Sequence, residues 1–301
     1  MYTLPLIFDR LQEKKMKITD IIKEDNLTLS FEVFPPKTDD RFEKVKYAID
    51  EIADLKPSFM SVTYGAGGGT SEYTADIAEE IQSKGVTSIA HLTCVSSTRN
   101  QVRNMLDKLK SRGIKNILAL RGDIPEGLDM NNLEYRYASQ LTEEIKEYGG
   151  FCIGGACYPE SHPESSNSME DIANLKKKVE AGCEFLTTQM FFDNDIYYNF
   201  LFRQRETGVD VPVIAGIMPI TSAKQIERVC DISQNALPQR FLRIVDRFGS
   251  NPKAMRQAGM AYATEQIIDL YANGVKAVHI YSMNNPTVVA ELQKNVSEIL
   301  K

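Results

Sequence analysis

A single carboxylate interrupts an apolar run near the start of the chain. Residues 30–37 read SFEVFPPK, and strand alternation places Glu32 on the opposite face from Phe31 and Val33. A carboxylate on an inward strand face is costly unless it is paired or used in chemistry. Burial would raise its pKa, so that it holds a proton near neutral pH and can give it up. The sequence marks Glu32 as a candidate for chemistry such as proton transfer, with a structural ion pair to Arg121 as the alternative.

Other polar side chains follow later β-rich runs. LALRGD carries Arg121, Gly122 and Asp123, and two carboxylates in different surroundings suit proton transfer. Each residue also has a structural explanation: Asp123 as a loop cap, His91 as a core histidine, and Gln189 as an internal hydrogen-bond partner. The remaining polar candidates near strand ends are Thr63, Tyr64, Thr93, Tyr158, His162, Thr187, Thr188, His279, Tyr281 and Asn284.

The motifs for metals and dinucleotides are weak. The three histidines form neither HxH nor HxxxH, and the five cysteines form no CxxC pair, so we predict no metal site. The glycines of GAGGGT (65–70) do not match GxGxxG. They would either let the backbone approach a flat or phosphorylated ligand, or form a plain flexible loop.

These residues need a scaffold, and eight β-rich runs alternating with helical segments supply one. An eightfold strand–helix repeat in about 300 residues predicts an α/β fold, a closed (β/α)8 TIM barrel, whose chemistry lies at the C-terminal ends of its strands. A doubly wound open sheet is the alternative. The runs span residues 27–34, 59–65, 88–95, 116–123, 151–159, 185–192, 211–219 and 277–283.

The helical segments have recognisable ends. Residues 42–55 and 171–182 have helical spacing, with Gly182 as a C-cap, and helices are expected to start after Ser97–Thr98 and Thr221–Ser222. The long interval between runs seven and eight predicts two or three helices, with residues 238–248 as an insertion. We expect one domain over residues 1–301: a leading helical extension at 1–26 and the barrel at 27–301.

Composition narrows the class of partner. Apolar residues make up 43% and charged residues 25%, as in globular proteins. The net charge of −6 with scattered bases gives no support for nucleic-acid binding. No apolar stretch approaches the length of a membrane span, and the odd cysteine count fits a reducing compartment. We therefore expect a cytoplasmic protein with a small-molecule partner.

Taken together, the motifs resemble one family. SFEVFPPK, SVTYGAGGG, AHLTCV, LALRGD, YPESHPE, LKKKVEAG with TTQMFFD, AGIMP and HIYSMN occur in one order over about residues 28–300. The chain is similar to methylenetetrahydrofolate reductase, the flavin barrel that makes 5-methyltetrahydrofolate. The resemblance implies an oxidoreductase that uses FAD, with NADH or NADPH as the electron donor and methylenetetrahydrofolate as the substrate.

The resemblance also implies roles for individual residues. Glu32 matches the general acid that protonates N10 and opens the five-membered ring to a 5-iminium cation. Asp123 matches an aspartate near both flavin and pterin, and Gln189 and Tyr281 match substrate contacts. The residues that match FAD contacts are Thr63, Tyr64, His91, Arg121, Gly122, Asp123, Tyr158, His162, Asp171 and Lys178. Among these, Arg121 and Lys178 suit phosphates.

Two positions depart from the family pattern. Ala223 stands where a bacterial form has a phenylalanine that packs on nicotinamide or folate, and Asn285 stands where many members have arginine. Both concern the second ligand, so the donor is open between NAD(P)H and a partner redox protein. A homo-oligomer or a complex with such a partner is equally open. A flavin-free pterin methyltransferase and a non-catalytic barrel subunit are the competing functions, and an inward acid at Glu32 argues against the second.

Overall fold

The computed structural model describes residues 17–24, 26–36, 42–64, 71–125, 127, 129, 132–226, 229 and 237–301. Eight parallel strands pair in chain order, and the last closes on the first. This confirms the predicted closed barrel, and the open-sheet alternative is wrong. The strands are β1 Thr28–Val33, β2 Met60–Val62, β3 Ser88–Thr93, β4 Asn116–Leu120, β5 Cys152–Cys157, β6 Phe185–Thr188, β7 Val213–Ile217 and β8 Ala277–Tyr281.

Each predicted run is longer than its strand, because the sequence pattern continues into the polar segment beyond the ladder. The run at 59–65 contains only a three-residue strand, and the run at 185–192 ends its pairing at Thr188. The residues beyond these ends leave the sheet and turn toward the rim of the barrel. Most of the predicted site residues lie in or just beyond these strand ends.

The helices connect the strands and cover the barrel. They are α1 Ile18–Lys23, α2 Phe42–Ala53, α3 Ser71–Ser83, α4 Arg99–Ser111, α5 Ala138–Tyr148, α6 Ser168–Glu180, α7 Asn194–Glu206, α8 Gln239–Phe248, α9 Pro252–Ala272 and α10 Pro286–Asn295. Between β7 and β8 the described residues contain α8 and α9, which confirms the predicted extra helices. None of the helices in the described ranges is long and apolar enough to cross a membrane.

Local signals place several of these helix ends. Helix α4 begins after Thr98, as predicted, and Thr98 caps it in a reciprocal pair with Gln101. The backbone N–H groups of Thr221 and Ser222 donate to the side chain of Gln225, and helical residues follow at 223–226. Gly182 lies one residue beyond the cap of α6, rather than at the cap itself.

Alternation along β1 decides which side chains enter the barrel. Phe31 and Val33 are fully buried against the surrounding helices, in one cluster with Val45 and Ile49 of α2. Glu32 therefore points the other way, toward the barrel interior. The strands are apolar on their outer face because that face is covered by helices.

Helix α1 closes the N-terminal end of the barrel. Ile18 and Ile22 pack in one cluster with Phe59, Phe185 and other residues at the strand starts. The backbone N–H of Ile18 also donates to the Asn116 side chain at 3.0 Å. The predicted leading extension is thus confirmed for α1, while residues 1–16 lie outside the described residues. With this end filled, the C-terminal end remains for a ligand.

Candidate active site

Two neighbouring cavities open at the C-terminal ends of the strands. The axial cavity has a volume of about 930 Å³, and the outer cavity has about 530 Å³. Ala156 and Tyr158 line both, so the two are adjacent. The axial cavity is lined by Glu32, Ser61, Thr63, Tyr64, His91, Thr93, Gly122, Asp123, Thr187, Thr188, Gln189, His279 and Tyr281, among others. The outer cavity is lined by Arg121, Tyr137, Ala138, His162, Glu164, Ser165, Asp171, Asn174, Lys177 and Lys178, among others.

All of the predicted site residues except Asn284 therefore line one cavity or the other. The barrel brings together side chains separated by up to 249 positions, because all its strands end at one rim. The predicted glycine loop at 65–70 lies outside the described residues. The sequence did not separate the candidates into two groups, and this division appears only in the structure.

Glu32 occupies the interior of the axial cavity. Its side chain is 17% exposed, and its Oε2 lies 3.6 Å from Nε2 of His91. Burial raises the pKa of Glu32 to about 8, against an opposing hydrogen bond from the Ser61 hydroxyl. Glu32 thus carries a proton at neutral pH, as its position in the apolar run predicted.

The alternative of an ion pair between Glu32 and Arg121 is wrong. The guanidinium of Arg121 instead binds both carboxylate oxygens of Glu164 at 2.5 and 2.6 Å. A bidentate pair of this kind fixes the orientation of the guanidinium plane. Arg121 faces the outer cavity, whereas Glu32 faces the axial one.

The two histidines near Glu32 are neutral. Burial lowers the pKa of both His91 and His279 to about 3. A neutral imidazole gives little electrostatic support to a carboxylate. The contact between His91 and Glu32 is therefore one between neutral groups and not a salt bridge.

The turn after β4 brings Gly122 and Asp123 to the axial cavity. Gly122 has φ of +85°, and a Cβ built on it would lie 3.0 Å from Cβ of Thr93. Glycine is required here for both reasons. The carbonyl of Arg121 accepts hydrogen bonds from the backbone N–H groups of Cys94 and Val95, which fixes the turn. Asp123 follows as an exposed carboxylate at the cavity rim.

Tyr281 and Gln189 form part of the opposite wall of the axial cavity. The hydroxyl of Tyr281 donates to the carbonyl of Thr188 at 2.5 Å, and burial raises its pKa well above the ordinary value. A Cβ on Gly216 would lie 2.7 Å from that hydroxyl, so the ring requires glycine at this point of β7. The Oε1 of Gln189 accepts from the backbone N–H of Met190. Tyr281 is thus a rigid wall.

The outer cavity contains a half-buried cation. The Nζ of Lys178 donates to the carbonyl of Ala156 at 2.6 Å, and burial lowers the pKa of this lysine. Tyr158 and His162 pack edge to face at the boundary, with ring centroids 4.6 Å apart. The Asp171 carboxylate accepts a hydrogen bond from Ser165, and burial raises its pKa.

Comparison with known proteins agrees with this geometry. The family model described as methylenetetrahydrofolate reductase matches residues 17–297. A 5,10-methylenetetrahydrofolate reductase of Pectobacterium carotovorum is 36% identical over 87% of this chain and 87% of its own length. The Escherichia coli protein of the same name is 35% identical over 87% of this chain and 88% of its own. The chain belongs to the methylenetetrahydrofolate reductase family.

Membership of the methylenetetrahydrofolate reductase family makes the chain an oxidoreductase. An Arabidopsis thaliana relative, methylenetetrahydrofolate reductase (NADH) 1, is 32% identical over 89% of this chain but 48% of its own length. A solved Clostridium thermocellum protein has the same fold, with a TM-score of 0.64 at 13% identity over 93% of this chain and 97% of its own. That structure is described as binding two copies of 5-methyl-5,6,7,8-tetrahydrofolic acid.

The structure also identifies residues that the sequence reasoning missed. Ser30 and Ser61 contact the two ring nitrogens of His279, at 2.8 and 2.9 Å. Glu164 holds Arg121. A signal for the first serine was present, because Ser30 lies two residues before Glu32 and so faces the same interior. Serine is too common in strands for that signal to have decided anything.

A turn after β8 ties the rim of the axial cavity together. The side chain of Asn284 accepts from the backbone N–H of Phe34 at 2.9 Å and donates to its carbonyl at 2.8 Å. The hydroxyl of Ser282 donates to the carbonyl of Glu32. Met283 and Asn284 both have φ of +52°, a conformation that non-glycine residues adopt only under constraint. These contacts fix the backbone on both sides of the end of β1.

The two departures from the family pattern lie outside the lining of either cavity. Asn285 is exposed, and its side chain caps α10 by accepting from the backbone N–H of Val288. Ala223 lies near the end of α8, 3.5 Å from a Cβ built on Gly249. An asparagine at 285 therefore has a structural role here.

Proposed function

We propose that this protein reduces 5,10-methylenetetrahydrofolate to 5-methyltetrahydrofolate, with FAD as cofactor and Glu32 as the general acid. The observation that carries the proposal is a carboxyl group that stays protonated at neutral pH, in the axial cavity of a barrel of this family. A proton donor poised near the working pH is what ring opening of the substrate requires.

The residues present fit FAD. Partial burial of an ammonium is unfavourable unless an anion compensates it, and the Lys178 ammonium gives only one of its three hydrogen-bond donors to the carbonyl of Ala156. The outer cavity also contains Arg121, so two cations there could meet a diphosphate. A flat ring system could then extend past Tyr158 into the axial cavity.

The division into cavities assigns the contacts. Arg121, His162, Asp171 and Lys178 would hold the diphosphate and adenosine. The part of the axial cavity next to the outer cavity would hold the isoalloxazine and ribityl groups. The residues that would contact them are Thr63, Tyr64, His91, Gly122 and Tyr158. When bound, FAD supplies the hydride that the one-carbon unit receives.

The protein groups supply the proton and the charge. Glu32 gives its proton to N10 of the folate, and the substrate becomes cationic as the ring opens. The exposed carboxylate of Asp123 at the rim stabilises that positive charge. Gln189 and the rigid ring of Tyr281 form the wall next to the pterin. NADH is the proposed donor, as named in the plant relatives, with NADPH or a partner protein as alternatives. We place the enzyme in the cytoplasm.

The test is Glu32→Gln, followed in two separate half-reactions. We expect the variant to bind FAD and to be reduced by its donor normally, while folate reduction falls by about 10²–10⁴-fold. Glu143→Gln, at an exposed position on α5, is the matched control and should behave as the wild type. Normal folate reduction by Glu32→Gln would show that another group is the acid.

Two simpler observations test the cofactor and the donor. A purified protein that is colourless and stays so after FAD is added would favour the flavin-free methyltransferase. For the donor, the protein is mixed with NADH or NADPH without oxygen while flavin absorbance is followed. Bleaching by neither nucleotide would point to a protein donor.

A further inference from the structure

Lys178 lies in the last turn of α6, whereas the cavity that it lines is at the barrel rim, where α6 begins. Its Nζ donates to the carbonyl of Ala156 at 2.6 Å, and Ala156 lines the same cavity. Helical side chains point toward the N-terminal end of their helix, which here is the end at the rim. The aliphatic stem of the lysine therefore runs back along the outer face of β5 before the ammonium reaches Ala156.

Gly155 is the residue of β5 that this stem crosses. A Cβ built on Gly155 would lie 2.7 Å from Cδ of Lys178 and 2.9 Å from Sγ of Cys183. Carbon atoms that are not bonded to each other sit about 3.5–4.0 Å apart, so a methyl group fits here only if the lysine stem moves. The end of the stem is held by the carbonyl of Ala156. Cys183 is buried on the other side, and its thiol donates to the carbonyl of Phe185 at 3.1 Å.

The backbone conformation does not explain a glycine at this position. Gly155 lies inside β5 and is not among the glycines with positive φ. A glycine inside a strand weakens the strand, because it loses more conformational freedom on folding than other residues and has no side chain to pack. Such a glycine often marks a close approach of another group, and the group here is the stem of Lys178.

We propose that Gly155 is a positioning residue for Lys178: the absence of a side chain at this point of β5 opens the path by which the ammonium reaches the outer cavity. The consequence for ligand binding rests on the proposed function, in which Lys178 meets the diphosphate of FAD. A side chain at position 155 would displace the stem from β5 and withdraw the ammonium from the carbonyl of Ala156. The diphosphate would then lose a charged hydrogen bond.

The test is Gly155→Ala, assayed by fluorescence titration of the apoprotein with FAD. We expect the affinity to weaken by about 10–100-fold, the effect of losing one hydrogen bond to a charged group. Gly154→Ala is the matched control, because it adds the same methyl group to the neighbouring residue of the same strand. Its new Cβ would lie 2.3 Å from Cζ of Phe185, on the opposite face of β5 from Lys178. The FAD affinity of this control should stay close to that of the wild type.

A double-mutant cycle with Lys178→Ala separates positioning from packing. Lys178→Ala removes the ammonium together with the stem, so Gly155→Ala should cause no further loss of FAD affinity in that background. Thermal melts without FAD test the contact itself. Gly155→Ala should lower the melting temperature of the wild type more than that of Lys178→Ala, because the stem that crowds the new methyl group is then absent.

Four results would overturn the proposal: wild-type FAD affinity in Gly155→Ala, an equal loss of affinity in Gly154→Ala, an equal loss in the two lysine backgrounds, or equal destabilisation in both. If Gly155→Ala fails to fold, its combination with Lys178→Ala decides. Folding of that double variant supports a crowding lysine stem, and failure to fold rejects it. A wild-type protein that does not bind FAD would reject the proposed function, while the melts would still show whether the stem crosses Gly155.

Discussion

The two cavities differ in the partners that they give to ionisable side chains. In the axial cavity, burial leaves Glu32, His91 and His279 neutral, with pKa values of about 8, 3 and 3. In the outer cavity, Arg121 remains charged in its pair with Glu164, and Lys178 contacts a carbonyl. The difference is one of partners, because the outer groups meet counter-charges or dipoles while the axial ones meet neutral neighbours.

This contrast matches two chemical tasks. Donating a proton requires a group that is neutral at the working pH, and a buried acid without a cationic partner provides one. Holding a phosphate requires fixed positive charge, and an arginine with a lysine provides that. One barrel rim can provide both kinds of site because its strands end next to one another while their side chains line two different cavities.

The largest expected effect is on the pH dependence of the free energy of unfolding, which tests whether Glu32 is neutral in the folded protein. Its pKa is raised from 4.5 to about 8 on folding, so the folded protein binds its proton more tightly. The contribution of Glu32 to the free energy of unfolding is fully present below pH 4.5 and is lost as pH rises to about 8. Relative to Glu32→Gln, the wild type should lose up to about 1.4 kcal/mol per pH unit across that window.

The measurement is urea unfolding of both proteins at several pH values between 5 and 8. His91 and His279 are present in both proteins, so their contributions cancel in the difference. Parallel stability curves would mean that Glu32 is not held neutral, and the contrast between the cavities would fail.

The second prediction addresses the charged cavity. Lys178→Met keeps most of the side-chain length but removes the ammonium, so a diphosphate would lose a charged hydrogen bond. We expect FAD affinity to weaken by about 10–100-fold, measured by fluorescence titration of the apoprotein. Lys176→Met, at an exposed position on the same helix, is the control. Equal affinity in both variants would remove Lys178 from the proposed site.

The smallest effect concerns the rim of the axial cavity, where two adjacent asparagines have different structural roles. Asn284→Ala removes two hydrogen bonds to Phe34 and should cost about 2 kcal/mol of stability and slow the folate half-reaction. Asn285→Ala removes a helix cap, about 1 kcal/mol, and should leave the rate unchanged. Thermal melts and single-turnover rates measure both. Equal rates in the two variants would mean that the turn does not position Glu32.

Much of the fold could be predicted from sequence because its signals are local. The alternation in SFEVFPPK predicted the inward face of Glu32, and the serine and threonine at 97–98 predicted the start of α4. Strand ends were overextended, as at 185–192, because hydrophobicity continues where the hydrogen-bond ladder stops. The predicted raised pKa of Glu32 followed from burial alone, and the structure agrees.

Pairing partners could not be predicted. The sequence suggested Arg121 as an ion-pair partner of Glu32. In the structure, Arg121 pairs instead with Glu164, 43 positions away. Whether two charges pair depends on the direction in which each side chain leaves the end of its strand. Neighbouring residues at a strand end can therefore face different cavities. Ser61 had no distinguishing mark in the sequence, and Ser30 had only its position two residues before Glu32.

The sequence by itself determined the repeating strand–helix pattern, the family, and the inward face of Glu32, since each depends on the order and spacing of residues near one another. Only the tertiary structure decided which cavity and which partner each ionisable side chain meets. These partners arise from contacts such as Ser30 with His279, which are 249 positions apart and meet only when β8 closes on β1.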